Sequence, residues 1–235
     1  MSEAKTIDIG AAIESQSGSR FATLILALCC AAMVIEGYDV QVLAYAAPAI
    51  VRDWHIDKAY LGPVFGAALF GYLLGATLLS GISDKFGRKK VIVLGNIFFG
   101  LLTIASAFAP NLTALMVLRF VAGLGLGCSI PSAMALGVEY APERHRAFRV
   151  SILFVGYTLG AALGGMIAAA LIVQFGWQSV FLLGGFTSLM LGIALSFIMP
   201  ESARFLALVG GKDRQIAAIL RKLRPDLGID ASSRF

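Results

Sequence analysis

Charge is scarce in this chain. Lys, Arg, Asp and Glu make up 14% of its 235 residues, where an ordinary soluble domain carries about 25%. Histidine is limited to His55 and His145, and neither has a catalytic partner or metal-ligand spacing. The three cysteines, Cys29, Cys30 and Cys128, all lie in apolar runs. Their spacing fits neither a disulfide framework nor a zinc site, so packing is their expected role. No phosphate-binding glycine loop is present. These gaps argue against an enzyme, against a metal and against any bound cofactor.

What remains is apolar. Hydrophobic residues are 58% of the chain and the mean hydropathy is +0.84. Apolar runs close to the length that a ~30 Å bilayer core demands of a helix recur along the sequence. The chain is expected to be an all-α membrane protein. Six spans are predicted, roughly at 21–50, 59–82, 91–109, 112–139, 148–173 and 178–199. Short polar breaks separate them, "VRDWHIDK", "SDKFGRKK", "APN", "YAPERHRAF" and "QFGWQ". The chain thus divides into a polar tail (1–20), a six-helix bundle (21–199) and a basic segment (200–235). The tail lacks the basic start and small-residue cleavage site of a signal peptide.

The net charge of +5 is a topology signal rather than a nucleic-acid patch. With the amino terminus inside, sixteen Lys and Arg fall on the inner side and only Arg52 and Lys58 on the outer side. That excess predicts two cytoplasmic ends in the cell membrane by the positive-inside rule. Arg119 is the remaining basic residue, and it lies inside a span.

Small residues recur at four-residue spacing: Ala67, Gly71 and Gly75 in the second span, Gly123 and Gly127 in the fourth, and Gly156, Gly160 and Gly164 in the fifth. Such ladders let helix backbones approach closely in lipid, either as static packing or against a partner that slides. The third and sixth spans carry more bulky residues and suit a lipid-facing position.

The loop "SGISDKFGRKK" puts an acid, a turn glycine and a basic cluster within a few residues. By spacing alone it is either a solvated topology signal or something more specific. It resembles the signature loop of the major facilitator superfamily, Gly-x-x-x-Asp-Arg/Lys-x-Gly-Arg-Arg/Lys. Asp84, Lys85, Gly87, Arg88 and Lys89 match, and Ser80 stands where the first glycine is usual. "RFVAGLGLG" from Arg119 resembles the family's fourth-helix motif. "EYAPERHRA" resembles its fourth-to-fifth loop, with Glu139, Pro142 and Arg146 in place, and "PESARFL" resembles the segment after its sixth helix. The opening of the first span, "EGYDVQVLAYAAPAI", is similar to the first helix of the aromatic acid:proton symporters, with Tyr38, Asp39, Gln41 and Pro48 matching and Glu36 replacing an Asp.

The resemblance implies the amino-terminal half of a twelve-helix fold, built as a 3+3 repeat. It implies a proton-coupled importer of aromatic carboxylates such as hydroxybenzoates or phenylpropanoids, driven by the proton gradient. The expected partners are the small aromatic carboxylate, protons, the lipid bilayer, and either a missing second half or a second copy of this chain. The resemblance further implies a cytoplasmic gate at Asp84, Gly87, Arg88, Lys89, Glu139 and Arg146, with Glu201 and Arg204 forming an equivalent latch. Another facilitator carrier for sugars, organic ions or drugs, and a nontransporting fragment, remain alternatives. An exporter is less favoured, because "GYTLGAALGG" in the fifth span lacks the Gly-Pro of the antiporter motif.

The residues themselves point to one chemistry. A charge near mid-membrane costs roughly 2.5–3.5 kcal/mol on insertion scales, so Glu36, Asp39 and Arg119 need a reason to be there. Glu36 and Asp39 are three apart and share a helix face. Counting 1.5 Å per residue puts Asp39 and Arg119 at similar depth, where they can pair. The pair is either a permanent structural contact or a coupling site in which Arg119 binds a substrate carboxylate when its acid partner is protonated. Gly37, Pro131, Ser129 and Ser132 would loosen helices around a cavity, and Tyr38, Gln41 and Tyr45 are candidate contacts to a hydroxylated ring.

Overall fold

The computed structural model describes residues 8–16, 18–79 and 81–227. Ser80 of the signature loop, and Lys5 and Arg234 of the charge pattern, lie outside the described residues.

A short helix, α1 (Ile9–Glu14), comes first; the Asp8 carboxylate caps it by accepting from the Gly10 and Ala11 N–H groups. The first long helix, α2 (Arg20–Asp53), is 34 residues, or ~51 Å at 1.5 Å per residue. That is longer than a ~30 Å hydrocarbon core requires. The second span is not one helix. A 3₁₀ turn (Lys58–Leu61) leads into α3 (Gly62–Leu74), which widens into a π segment (Gly75–Leu79). A separate short helix, α4 (Ile82–Phe86), follows. Gly87, at φ +100°, then turns the chain into α5 (Arg88–Ala107). Only glycine takes that conformation without strain.

Asn111 caps α6 (Leu112–Glu139) through the Ala114 N–H at 2.9 Å. The fifth span begins earlier than hydropathy suggests. Helix α7 (Glu143–Phe175) carries its charged first turns beyond the apolar layer, because Pro142 cannot continue α6 and suits a helix start. Helix α8 (Gln178–Ile198) completes the spans. The described part of the basic segment holds two helices, α9 (Ala203–Val209) and α10 (Asp213–Leu223). Among the described residues six segments are long and apolar enough to cross a membrane, five single helices and the composite Lys58–Leu78.

The helices associate in three principal pairs: α2 with α7, α3 with α6, and α5 with α8; α5 also packs along α6. Exchanging the first three spans for the last three turns the first pair into the second and leaves the third unchanged. The pairing therefore has the pattern of a 3+3 repeat. The close contacts repeat in the same way. A Cβ on Gly71 would run into the Phe120 carbonyl, and one on Gly123 into the Ala68 carbonyl. Across the other pair, Gly160 meets the Val34 carbonyl and Gly37 meets the Tyr157 carbonyl. Gly37 is thus a packing residue and does not loosen α2. Gly66, in contrast, faces open space.

Bulky residues of α5 and α8 do face outward, including Leu94, Leu101, Met190 and Phe197. The expected division is not confined to them, since Leu69 of α3 and Leu163 of α7 are as exposed in this chain.

At one end of the bundle α1, α9 and α10 form a cap. The apolar face of α10, with Ile216, Leu220 and Leu223, is buried together with Ile13 of α1 and Ile25 of α2. Arg224 ties α1 down by donating to the Ala12 carbonyl and, at 2.6 Å, to Ser15 Oγ. It also donates to Asp226, and these hydrogen bonds hold the Asp226 carboxyl below its ordinary pKa. At the opposite end Trp177 stacks edge-on against Trp54 and donates Nε1–H to Asp53 at 2.9 Å.

The glycine contacts give the first prediction. Gly160→Val places a branched side chain against the Val34 backbone, and overpacking of this kind typically costs about 1–3 kcal/mol. The variant is expected to unfold at a lower temperature in detergent. Gly66→Val, facing open space, is expected to keep the wild-type transition.

Candidate functional site

The bundle buries three charged side chains at its centre: Glu36, Asp39 and Arg119 are at most 4% exposed. Two adjacent turns of α2 supply the acids, and the first half of α6 supplies the base. Arg119 Nη1 stands 3.7 Å from Asp39 Oδ2. That is an ion pair held just short of hydrogen-bond contact.

The guanidinium is gripped on its other edge. Nε and Nη2 donate to Ser106 Oγ at 3.2 and 2.9 Å, and Nη2 donates to Thr103 Oγ1 at 3.0 Å. The Phe181 ring lies beneath it, 5.3 Å from the ring centroid to Cζ, which adds a cation–π contact. Nη1 is the edge left open toward Asp39. Neither Asp39 oxygen accepts a hydrogen bond from the described residues. The pair is therefore positioned by α5 and α8 as much as by itself.

Glu36 is held differently. Its Oε1 accepts from Ser129 Oγ at 2.5 Å, and its Oε2 has no partner among the described residues. Ser129 also lies 3.5 Å from Asn96 Nδ2.

A cavity of about 400 Å³ opens beside the pair, within the range of small-molecule sites. Asp39 and Arg119 supply its charge. Phe65 and Tyr72 of α3, Tyr157 of α7, and Leu69 and Leu126 form much of the apolar wall. Glu36, Tyr38, Gln41 and Tyr45, all singled out from the sequence, do not line it. Tyr38 turns the other way, donating to the Val180 carbonyl at 2.9 Å and packing against Gly164 and Gly184. Gln41 is exposed and stands outside the cavity lining. Tyr45 is likewise committed, through its hydroxyl, to the Ala161 carbonyl.

The helical-cap end of the bundle holds a second cluster, centred on the buried Glu139 carboxylate. Arg88 Nη1 donates to Oε2 at 2.8 Å, Ser202 Oγ reaches both oxygens at 2.7 Å, and the Arg204 N–H reaches Oε1 at 3.2 Å. Next to it, Tyr140 donates to the Glu201 carbonyl and accepts from the Ala203 N–H, each at 2.9 Å. Burial, reinforced by the Glu139 charge, holds the Tyr140 phenol well above its ordinary range.

Glu201 does not pair with Arg204. Its Oε1 accepts from the Lys89 N–H at 3.0 Å and from Ser202 N–H at 2.9 Å, and its carboxylate closes on Gly87, where a Cβ would collide with it. Glu201 therefore caps the amino-terminal end of α5, a favourable place for a negative charge. Asp84 is exposed on α4 and has no ion pair among the described residues. Arg146 reaches the Ala141 carbonyl at 3.3 Å and Glu143 at 3.7 Å. The Arg204 side chain is exposed.

Sequence reasoning missed Thr103, Ser106 and Phe181 around Arg119, and Phe65, Tyr72 and Tyr157 in the cavity. Thr103 and Ser106 carry a faint signal, two hydroxyls three apart on an apolar span. The aromatics carry none, since nothing local separates a cavity ring from a core ring. Among the described residues no group of three His, Cys, Asp or Glu side chains could hold a metal ion.

Six spans paired as an internal repeat, with a buried acid–arginine site beside a cavity, define half of a membrane carrier. The comparisons agree: the Major Facilitator Superfamily profile matches residues 29–227, and the chain belongs to that family. The 4-hydroxybenzoate transporter PcaK of Acinetobacter baylyi is 40% identical over 220 residues, covering 94% of this chain and 48% of that protein. The gallate transporter of Pseudomonas putida is 40% identical over 217 residues, covering 92% of this chain and 48% of that protein. The chain spans about half the length of these relatives. The xylose transporter XylE from Escherichia coli, in a partially occluded inward open conformation, superposes with a TM-score of 0.76 at 21% identity, over 88% of this chain and 56% of that one. That likeness speaks to the fold alone.

The Glu139 cluster gives the second prediction. Glu139→Ala removes the acceptor shared by three donors and leaves Arg88 without its partner. Breaking a buried pair from one side typically costs about 3–5 kcal/mol, an upper range here because the Arg88 side chain is 25% exposed. The variant is expected to lower the unfolding temperature in detergent clearly. Asp84→Asn, with an exposed side chain, is expected to leave it unchanged.

Proposed function

We propose that the chain forms the amino-terminal half of a proton-coupled importer of aromatic carboxylates in the cell membrane. The observation that carries the reading is the Asp39–Arg119 pair, 3.7 Å apart on the wall of an aromatic-lined cavity. The likeness to 4-hydroxybenzoate and gallate transporters supports the substrate class. The charge pattern supports an orientation in which the cap of α1, α9 and α10 is cytoplasmic.

Ser106 and Thr103 fix the guanidinium and leave Nη1 facing Asp39. A substrate carboxylate entering the cavity meets that open edge. Ionised Asp39 competes for the same donors. Protonation of Asp39 removes the competing charge, so proton and substrate bind together more favourably than either binds alone, and the coupling is reciprocal. Desolvation strengthens this exchange, because the pair is shielded from water and Coulomb energies rise as the effective dielectric falls. The ring of the substrate then packs against Phe65 and its apolar neighbours. Glu36, buried one turn from Asp39 and held by Ser129, is the alternative proton site.

Asp39→Asn is expected to insert normally and to abolish uptake of labelled 4-hydroxybenzoate driven by a proton gradient. Normal uptake with the wild-type pH dependence would remove Asp39 from the coupling mechanism.

The inner cluster is the proposed gate, with Arg88–Glu139 and the Glu201 cap holding α5, α6 and α9 together on one side. Contacts of this kind are sufficient to bias a balanced equilibrium between two states. Asp84 is exposed on that surface, available to a partner across the cavity mouth. Asp84→Asn is expected to shift the transporter toward the inward-open state and slow uptake while substrate binding survives. Accessibility of introduced cysteines on the cytoplasmic side reads the shift; unchanged labelling together with unchanged uptake would show that Asp84 has no gating role.

A further inference from the structure

Five of the tyrosines lie in or beside the bundle, and their hydroxyls divide into two groups. Tyr38, Tyr45 and Tyr140 each donate to a backbone carbonyl, of Val180, Ala161 and Glu201. Tyr72 and Tyr157 have no hydrogen-bond partner among the described residues, and both line the cavity that holds Asp39 and Arg119. A tyrosine hydroxyl in an apolar setting normally finds a partner. Two unpartnered hydroxyls in one cavity leave hydrogen-bonding capacity directed at whatever enters it.

Their backbones are held rigidly. Tyr72 sits where α3 touches α6, its N–H and carbonyl lying against Gly123 and Gly127. The Tyr157 carbonyl lies against Gly37 of α2. Neither helix can shift without opening a contact in which backbone meets backbone. Tyr72 is thus level with a stretch of α6 that begins one turn past Arg119, ~6–12 Å along the helix at 1.5 Å per residue. Both residues line the same cavity, so one small ring bearing a carboxylate and a hydroxyl can meet the two. The apolar wall of Phe65, Leu69 and Leu126 lies along the same cavity.

We propose that Tyr72 and Tyr157 read the ring hydroxyl of the substrate, so that the site selects hydroxylated aromatic acids over unsubstituted ones. This rests on the carrier reading above and deepens it. The carboxylate is held at Arg119, the ring against the apolar wall, and the phenolic O–H exchanges hydrogen bonds with the two tyrosine hydroxyls. An acid without the hydroxyl leaves both tyrosines unsatisfied in a desolvated site. Sites built to bond a hydroxyl discriminate in this way far better than apolar pockets that differ only in size.

The test is competition. Uptake of labelled 4-hydroxybenzoate by cells expressing the whole transporter is inhibited with unlabelled 4-hydroxybenzoate or with benzoate, and the ratio of inhibition constants is the readout. Binding to the purified transporter reports the same ratio where a variant moves substrate too slowly. The Tyr72→Phe, Tyr157→Phe double variant preserves both rings and is expected to lower the preference for the hydroxylated acid five- to tenfold, as the loss of one or two neutral hydrogen bonds does. Tyr45→Phe, whose hydroxyl is already committed to a backbone carbonyl, is expected to keep the wild-type ratio. A double variant with an unchanged ratio, or a wild type without the preference, overturns the inference and leaves the carrier reading standing. A wild type that binds neither acid overturns the carrier reading and this inference with it.

Discussion

Helix association inside a bilayer cannot draw on the hydrophobic effect, because lipid tails are as apolar as the side chains that would be buried. The chain depends instead on backbone-to-backbone approach. Gly71 and Gly123 bring α3 and α6 together, and Gly37 and Gly160 do the same for α2 and α7. Each contact removes a side chain so that a carbonyl of the partner fits in its place. Everything functional hangs on these two crossings: the cavity lies among the four helices they join, and its wall residues inherit their positions from them.

The repeat is a property of packing and stops short of chemistry. Val34 and Gly37 take the same places on α2 that Phe120 and Gly123 take on α6. Counting back from these contacts, Arg119 on α6 corresponds to Met33 on α2, and Glu36 corresponds to Ala122. A symmetric scaffold therefore carries an asymmetric site, with the acids on one copy and the base on the other. Opposite charges on repeat-related helices face one another across the repeat axis and can pair, where a symmetric placement would put like against like.

The two polar clusters differ in how they meet the cost of burial. Around Glu139 every oxygen has donors, as a structural centre requires. At the central site Asp39 and one oxygen of Glu36 go without. An unsatisfied polar group in a buried site is expensive to leave unmade, and such local conflicts concentrate where a protein acts rather than where it merely holds together. The residues of the Glu139 cluster were legible as types, since Arg88, Glu139 and Glu201 all belong to it. Their pairing was not legible: Glu201 caps α5 instead of meeting Arg204, because the turn at Gly87 presents the Lys89 N–H to its carboxylate.

Sequence by itself determined the six spans, the family, and the three buried charges, because each rests on a cost that composition makes visible. Apolar length is set by bilayer thickness, and a charge in such a run stands out against its neighbours. The break at Gly75, the helical cap and the early start of α7 were beyond it, because hydropathy does not register a π segment or a helix that continues past the apolar layer. The tertiary structure alone decided which aromatic rings face the cavity. Tyr38 and Tyr72 are alike in sequence, each a tyrosine beside glycine or leucine in an apolar helix. Only the crossing of α2 with α8 turned Tyr38 onto the Val180 carbonyl, and only the crossing of α3 with α6 left Tyr72 on the cavity wall, because the direction of a side chain is set by the neighbour that its helix happens to meet.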